Sequence, residues 1–230
     1  MTSAHKIILQ EIVEQIGPAI RGISPPKAAA KRPSTKAIYK ALKTARNAIQ
    51  KRFGGPVLCR YSGCLEDREK KYSRNSRVFK VLEYLWDFSF SRYAIPQAIE
   101  DLDAIPIASG KFELLFVAES ELGTKDEICR DLLKLLEART SIRCLVYKCP
   151  KRVTERHDFE ARMVRVLHNH AHFRSSPGAW LFLGLTWTLK EINCDFQTLN
   201  NDLTAIVSIT RRWRVPSLRH RRFPAATRTS

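Results

Sequence analysis

The sequence contains little cysteine, no long apolar run and no segment that resembles a leader. Six cysteines among 230 residues are too few for a disulfide scaffold, so we expect free thiols in a reducing compartment. No stretch approaches the roughly 18 to 20 consecutive apolar residues that a membrane-spanning helix needs. Polar residues such as Gln10 and Glu11 interrupt the first apolar positions, unlike a signal peptide. These absences predict a cytoplasmic protein that does not use a membrane as its partner.

Several enzyme motifs are also missing. The chain has no Walker phosphate-binding loop, no dinucleotide-binding glycine fingerprint and no nucleophile elbow. Nucleotide hydrolysis and acyl transfer therefore have no support from motifs. The tripeptide His168-Asn169-His170 has the letters of one nuclease class, but that class also needs distant metal ligands in a ββα arrangement. We interpret these histidines as surface residues.

Acidic residues are absent from two segments of a strongly basic chain. The formal net charge is +17, yet residues 21–60 and 211–230 contain no aspartate or glutamate. Trp213 and Phe223 lie among the arginines of the second segment, where aromatic rings can stack on bases while arginines bind phosphates. Solvated faces or flexible ends are the alternative explanation for each segment. We expect nucleic acid as the partner, with DNA as the first candidate, and the sequence leaves both RNA and a homodimer open. The residues expected to contact the nucleic acid are Lys36, Lys40, Lys43, Arg46, Arg211, Arg212, Arg214, Arg219, Arg221 and Arg222.

The apolar pattern predicts three regions: an N-terminal helix with a proline-rich linker over 1–34, a core domain over 35–210, and a basic tail over 211–230. The first helix is expected to begin after Ser3 and to end at Gly17-Pro18. A basic amphipathic helix is predicted over 35–53, followed by a glycine stop.

The core alternates between strand and helix patterns, which predicts an α/β or mixed α+β domain built around a mostly buried sheet. Apolar runs predict buried strands over 78–90 and 112–121. Thr124 and Glu127 form a capping-box pattern that begins a helix ending near Arg139. The remaining predicted elements are a strand over 142–147, a helix over 154–172, a strand over 179–188 and a hairpin over 192–196 and 203–210.

Three carboxylates are the candidate functional residues of this core. Asp87 interrupts an apolar run, and a buried carboxylate needs a partner. Glu119 and Glu121 end the next strand and share one of its faces, because side chains alternate along a strand. If the two strands are neighbours, the three acids meet at one end of the sheet and favour a divalent cation, Mg²⁺ or Mn²⁺. The alternative is that Glu119 and Glu121 mark the point where the strand reaches solvent.

The pattern of Asp87, Glu119-Ser120-Glu121 and a following helix that carries Lys134 resembles the PD-(D/E)XK nuclease superfamily. The resemblance covers about residues 35–150, half of the chain, and implies a restriction-endonuclease-like fold with a central mixed sheet flanked by helices. It implies that Asp87 and Glu119 bind Mg²⁺ and that Ser120 contributes its main-chain carbonyl.

The residue that activates water departs from the family's pattern. Glu121 occupies the position where the family usually has lysine. Some members place a glutamate there, and others move the lysine to the next helix, where Lys134 lies. The resemblance therefore implies a Mg²⁺-dependent DNA endonuclease with Asp87, Glu119, Glu121 and Lys134 as catalytic residues. The alternative is a nucleic-acid-binding protein that keeps the fold without cleaving.

Overall fold

A mixed seven-stranded sheet forms the centre of the protein. The structure is a computed structural model and describes residues 3–28, 31–55, 57–61, 87–93, 112–170, 173 and 178–209. The sheet's strands follow one another in sequence order, β1 to β7. The pairs β3/β4 and β4/β5 are parallel, whereas the other neighbouring pairs are antiparallel. The strands are β1 (Val57–Tyr61), β2 (Phe88–Tyr93), β3 (Phe112–Glu121), β4 (Thr140–Lys148), β5 (Ala179–Trp187), β6 (Ile192–Leu199) and β7 (Ile206–Ser208).

Helices cover both faces of the sheet, and the predicted mixed α+β class is confirmed. Three helices share one apolar cluster with the first face, and two helices share a second cluster with the other face. The two helices of the second cluster connect the parallel strands, because neighbouring parallel strands need a crossover connection, which is usually a helix. The first three helices are α1 (Ser3–Arg21), α2 (Thr35–Lys43) and α3 (Arg46–Phe53), and the crossover helices are α4 (Lys125–Glu137) and α5 (Val153–Asn169).

The predicted end of the first helix is wrong, and the second predicted helix keeps its two ends but is interrupted. Helix α1 continues through Pro18 to Arg21, and its extra turn is held in place by the fully buried Ile20. The helix predicted over 35–53 is divided into α2 and α3. At the division, the Thr44 hydroxyl donates a hydrogen bond to the Ala41 carbonyl at 2.7 Å, a local bond of the kind that competes with regular helix.

The predicted elements of the core agree better with the structure. Strand β3 has the predicted bounds, and the capping box of Thr124 and Glu127 is confirmed at the start of α4. Asp87 is a correction, because it directly precedes β2 instead of lying inside a strand. The predictions for residues 78–86 and for the basic tail over 211–230, with the six arginines expected to contact nucleic acid, lie outside the described residues.

The buried Arg143 on β4 fixes the end of α4. Its guanidinium donates hydrogen bonds to the carbonyls of Leu135 at 2.9 Å and Ala138 at 2.6 Å. These carbonyls belong to the helix terminus, where main-chain donors run out and a buried cation is a favourable partner, although the Leu135 carbonyl also accepts a hydrogen bond from the Ala138 N–H. Burial lowers the pKa of Arg143 to about 10, which still leaves it charged at neutral pH. The contact sets where α4 lies on the sheet, and with it the position of Lys134.

Candidate functional site

Asp87 and Glu119 come together where β2 begins and β3 ends. The Ser120 main-chain N–H donates a hydrogen bond to Asp87 Oδ2 at 2.9 Å, which ties the residue before β2 to the neighbouring strand. Asp87 is also close enough to Glu119 for its negative charge to raise the pKa of the Glu119 carboxyl. The structure thus brings together the first two acids that the sequence singled out.

Glu119 is a buried carboxylate with one free oxygen. The residue is 1% exposed, and its Oε1 atom has no hydrogen-bond partner among the described residues. Its Oε2 atom lies 3.7 Å from Lys134 Nζ. Burial, and then the charge of Asp87, raise the pKa of Glu119 to about 8, while Lys134 acts in the opposite direction. A buried carboxyl oxygen without a donor is a position that a cation would satisfy.

Lys134 contacts two acids at once. Its Nζ atom lies 2.7 Å from Asp131 Oδ1 as well as near Glu119, while its side chain stays 55% exposed. Although burial works against the charge, the Asp131 hydrogen bond and the Glu119 charge raise the pKa of Lys134 above its ordinary value. Lys134 is therefore cationic at neutral pH. It can stabilise negative charge beside Glu119, but it is not suited to removing a proton from water.

Glu121 does not join the other two acids. Its Oε1 atom accepts a hydrogen bond from the Gly123 main-chain N–H at 2.5 Å and lies 3.6 Å from Arg32 Nη1. A Cβ atom at position 123 would lie 2.6 Å from the same oxygen, so a larger residue there would displace the end of the Glu121 side chain. No group of three histidine, cysteine, aspartate or glutamate side chains able to hold a metal ion occurs in the described part of the chain. The predicted meeting of three carboxylates is thus corrected to a pair.

Tyr39 is a site residue that the sequence analysis missed. Its hydroxyl makes a side-chain hydrogen bond to Asp87, and burial, followed by the charge of Asp87, raises the pKa of Tyr39 far above its ordinary range. Tyr39 is therefore a neutral hydrogen-bond donor that fixes the Asp87 carboxylate. Because Tyr39 and Asp87 are far apart in sequence, only the packing of α2 on the sheet reveals the contact.

The predicted nucleic-acid residues of α2 surround Tyr39. Lys36 and Lys43 lie three and four residues from it, which are neighbouring positions on a helix surface, and Lys36 and Lys40 are exposed. Arg46 differs from these lysines, because its guanidinium Nε and Nη2 donate to the Val57 carbonyl at 2.9 and 2.5 Å. Part of the hydrogen-bonding capacity of Arg46 is thus used within the fold.

The histidines of the His168-Asn169-His170 tripeptide and the cysteines lie elsewhere. His168 Nε2 is 2.8 Å from the Leu203 carbonyl, and His170 Nε2 lies 3.0 Å from Glu137 Oε1. The cysteines in the described part of the chain, Cys59, Cys129, Cys144, Cys149 and Cys194, are buried free thiols, as predicted.

A cleft of about 660 Å³ does not coincide with the candidate residues. It is lined by residues such as Thr140 and Ser141 at the start of β4, at the opposite edge of the parallel strands. The acids instead lie at the edge where β3 ends, which is the carboxyl edge of the parallel strands. Ligands of open sheets that contain parallel strands bind characteristically at that edge.

Comparisons with known proteins give no further information about the function of the site. The chain matches no family model, no curated protein and no solved structure. Within the described residues, no helix is both long enough and apolar enough to span a membrane. Function therefore has to be inferred from the geometry of the site.

Burial of Glu119 predicts that the stability of the protein falls as pH rises. Between pH 4.5, the ordinary value, and about 8, the folded state keeps the Glu119 proton while the unfolded state releases it. Glu119→Gln removes the titrating group and therefore the loss of stability that accompanies the rise in pH. In buffer with a chelator, we expect the variant to melt several degrees higher than the unsubstituted protein at pH 8 and to differ little at pH 4.5.

The control for this measurement is Glu155→Gln, which replaces an exposed glutamate paired only with Arg152 in the described part of the chain. We expect its melting temperature to follow that of the unsubstituted protein at every pH. A difference between Glu119→Gln and the unsubstituted protein that stays constant from pH 4.5 to 8 would contradict the assigned pKa of Glu119.

Proposed function

We propose that this protein is a Mg²⁺- or Mn²⁺-dependent nuclease that hydrolyses DNA phosphodiester bonds as an endonuclease, with a restriction-endonuclease-like fold. The single observation that carries the proposal is the Asp87, Glu119 and Lys134 arrangement. It combines two electrostatically coupled carboxylates, a buried oxygen without a donor and a lysine 3.7 Å from one acid. The central mixed sheet flanked by helices, which the family resemblance implies, supports the proposal.

Asp87 and Glu119 would hold the metal ion. The free Oε1 atom of Glu119 is an oxygen ligand of the kind that Mg²⁺ and Mn²⁺ prefer, and the Ser120 main-chain carbonyl would be the third ligand that the family resemblance implies. When bound, the metal would lower the pKa of a water molecule and neutralise charge on the phosphate. Tyr39 and the Ser120 N–H hold Asp87 in position.

Lys134 is the residue that replaces the missing strand lysine in this proposal. It lies beside Glu119 as a cation, whereas Glu121 is engaged by Gly123 and Arg32. A cation at that point favours a transition state that gains negative charge at the phosphate oxygens. The exposed lysines of α2 are on the helix that reaches Asp87, so they would bind the DNA backbone close to the acids.

One observation favours the alternative of a protein that binds nucleic acid without cleaving it. The described residues contain no group of three histidine, cysteine, aspartate or glutamate side chains placed to hold a metal ion, whereas many metal sites include a third carboxylate. Either activity is proposed to take place in the cytoplasm, where the reduced state of the buried thiols would be maintained.

Incubation with supercoiled plasmid DNA tests the proposal. We expect conversion to nicked and linear DNA with Mg²⁺ or Mn²⁺, and no conversion when a chelator is present, because both carboxylates act through the ion. Gel-shift binding is measured in parallel on the same preparations. Binding without conversion in either metal would overturn the nuclease and leave the non-cleaving alternative.

A further inference from the structure

The linker between α1 and α2 passes over the edge of the sheet where the candidate acids lie. Its residues 22–28 and 31–34 are described. The Trp187 side-chain N–H, at the end of β5, donates a hydrogen bond to the Lys31 carbonyl at 3.1 Å. The next residue, Arg32, lies 3.6 Å from Glu121, at the end of β3. Since β3, β4 and β5 are parallel, their carboxyl ends share one edge, and the linker crosses it.

Arg32 is weakly held in this position. Its side chain is 60% exposed, and its ion pair with Glu121, at 3.6 Å, is longer than a hydrogen bond. Exposed ion pairs of this kind contribute little to stability. Glu121 has a second partner besides Arg32, because its Oε1 atom also accepts the 2.5 Å hydrogen bond from the Gly123 N–H. Arg32 can therefore leave Glu121 and bind another anion at a small cost in free energy.

Arg32 also lies close to the proposed metal ligands. Glu121 and Glu119 are two residues apart on one face of β3, a separation of roughly 7 Å along a strand. A guanidinium beside Glu121 is therefore placed to reach a phosphate that neighbours the one facing Glu119 on the same DNA strand. Arginine is well suited to that ligand, because its planar fork of N–H groups matches the oxygens of a phosphate.

We propose that Arg32 binds a backbone phosphate of the nucleic acid beside the cleavage site and that Glu121 holds Arg32 when no nucleic acid is bound. The inference rests on the proposed function for its ligand. It gives Glu121 a role different from the one implied by the family resemblance, because Glu121 then competes with the phosphate for Arg32. Removing the charge of Glu121 should consequently tighten binding, and it should do so through Arg32.

A double-mutant cycle measures this competition. The affinity for a fluorescent DNA duplex is determined in chelator, where no cleavage occurs, for the unsubstituted protein, Arg32→Gln, Glu121→Gln and the double variant. We expect Arg32→Gln to weaken binding about tenfold and to reduce the slope of log affinity against log salt by about 0.9. Glu121→Gln should tighten binding severalfold, and most of that gain should disappear in the double variant.

The matched control is Arg165→Gln, which removes an exposed arginine from α5. We expect it to bind within about twofold of the unsubstituted protein, as a change of one remote charge would. The inference is overturned if Arg32→Gln behaves like Arg165→Gln. It is equally overturned if Glu121→Gln tightens binding to the same extent with and without Arg32.

The plasmid assay separates this inference from the proposed function. If the coupling between Arg32 and Glu121 is present but no metal supports cleavage, the nuclease is wrong and Arg32 remains a phosphate-binding residue. If cleavage is present and the coupling is absent, the nuclease stands and the role of Arg32 is wrong. Both substituted side chains are partly or largely exposed, so the variants are expected to fold.

Discussion

We expect Asp87→Asn and Glu119→Gln each to abolish metal-supported cleavage of plasmid DNA while leaving duplex binding nearly intact. Each substitution keeps the shape of the side chain but removes the charge that holds the metal. Loss of a supporting residue around a metal site typically costs 10- to 100-fold in activity, so loss of a ligand should cost more than about 100-fold. The measurement is the initial rate of conversion of supercoiled plasmid in Mg²⁺.

The same experiment excludes a contaminating nuclease. Glu155→Gln changes an exposed glutamate on α5 outside the site and should cleave at the rate of the unsubstituted protein. Purified in the same way, the variants of Asp87 and Glu119 would retain the activity of a contaminant. Cleavage at an unchanged rate in either variant would eliminate the proposed site, and the stability gain expected for Glu119→Gln shows separately that the variant is folded.

The elements that the sequence predicts best are those whose signals are local. Strand β3 and the capping box of α4 follow from an uninterrupted apolar run and from two residues three positions apart. The end of α1 could not be predicted in this way. Proline is a strong local signal for a helix end, but burial of Ile20 against the sheet outweighs it.

The same distinction applies to the candidate site. Asp87 and Glu119 stand out because a carboxylate in an apolar context is costly, and that cost can be recognised in the sequence itself. Tyr39 and Arg32 lack such a signal, since a tyrosine in an amphipathic helix and an arginine in a basic linker are ordinary there. Their importance arises from long-range packing that brings α2 to Asp87 and the linker to Glu121.

The position of Glu121 shows where spacing alone misleads. Two acids on one face of a strand predict a common site. The chain turns sharply at Gly123, however, and the main-chain N–H of that turn binds the Glu121 carboxylate. The main-chain N–H at the turn thus binds a carboxylate that the spacing assigns to the metal site. Such a donor becomes apparent only when the backbone path is known.

Lys134→Met should lower the rate of cleavage by about 100-fold or more, with little change in melting temperature. Methionine keeps an unbranched apolar stem but removes the cation next to Glu119, where charge on the phosphate would be stabilised. The lysine also lowers the pKa of Glu119, so its loss should raise that pKa further. The acid limb of the pH–rate profile should therefore move to higher pH, which a simple loss of packing would not produce.

Two further variants distinguish the cation from its neighbours. Arg130→Met removes an exposed cation from the same helix and should cleave normally. If Lys134 only forms a surface pair with Asp131, Lys134→Met should also cleave normally, because such pairs contribute a few tenths of a kcal/mol. If Lys134→Met cleaves normally and Glu121→Gln does not, then Glu121 is the residue that positions water. That result would concern cleavage alone, because the role of Glu121 in holding Arg32 is decided by the binding measurements in chelator.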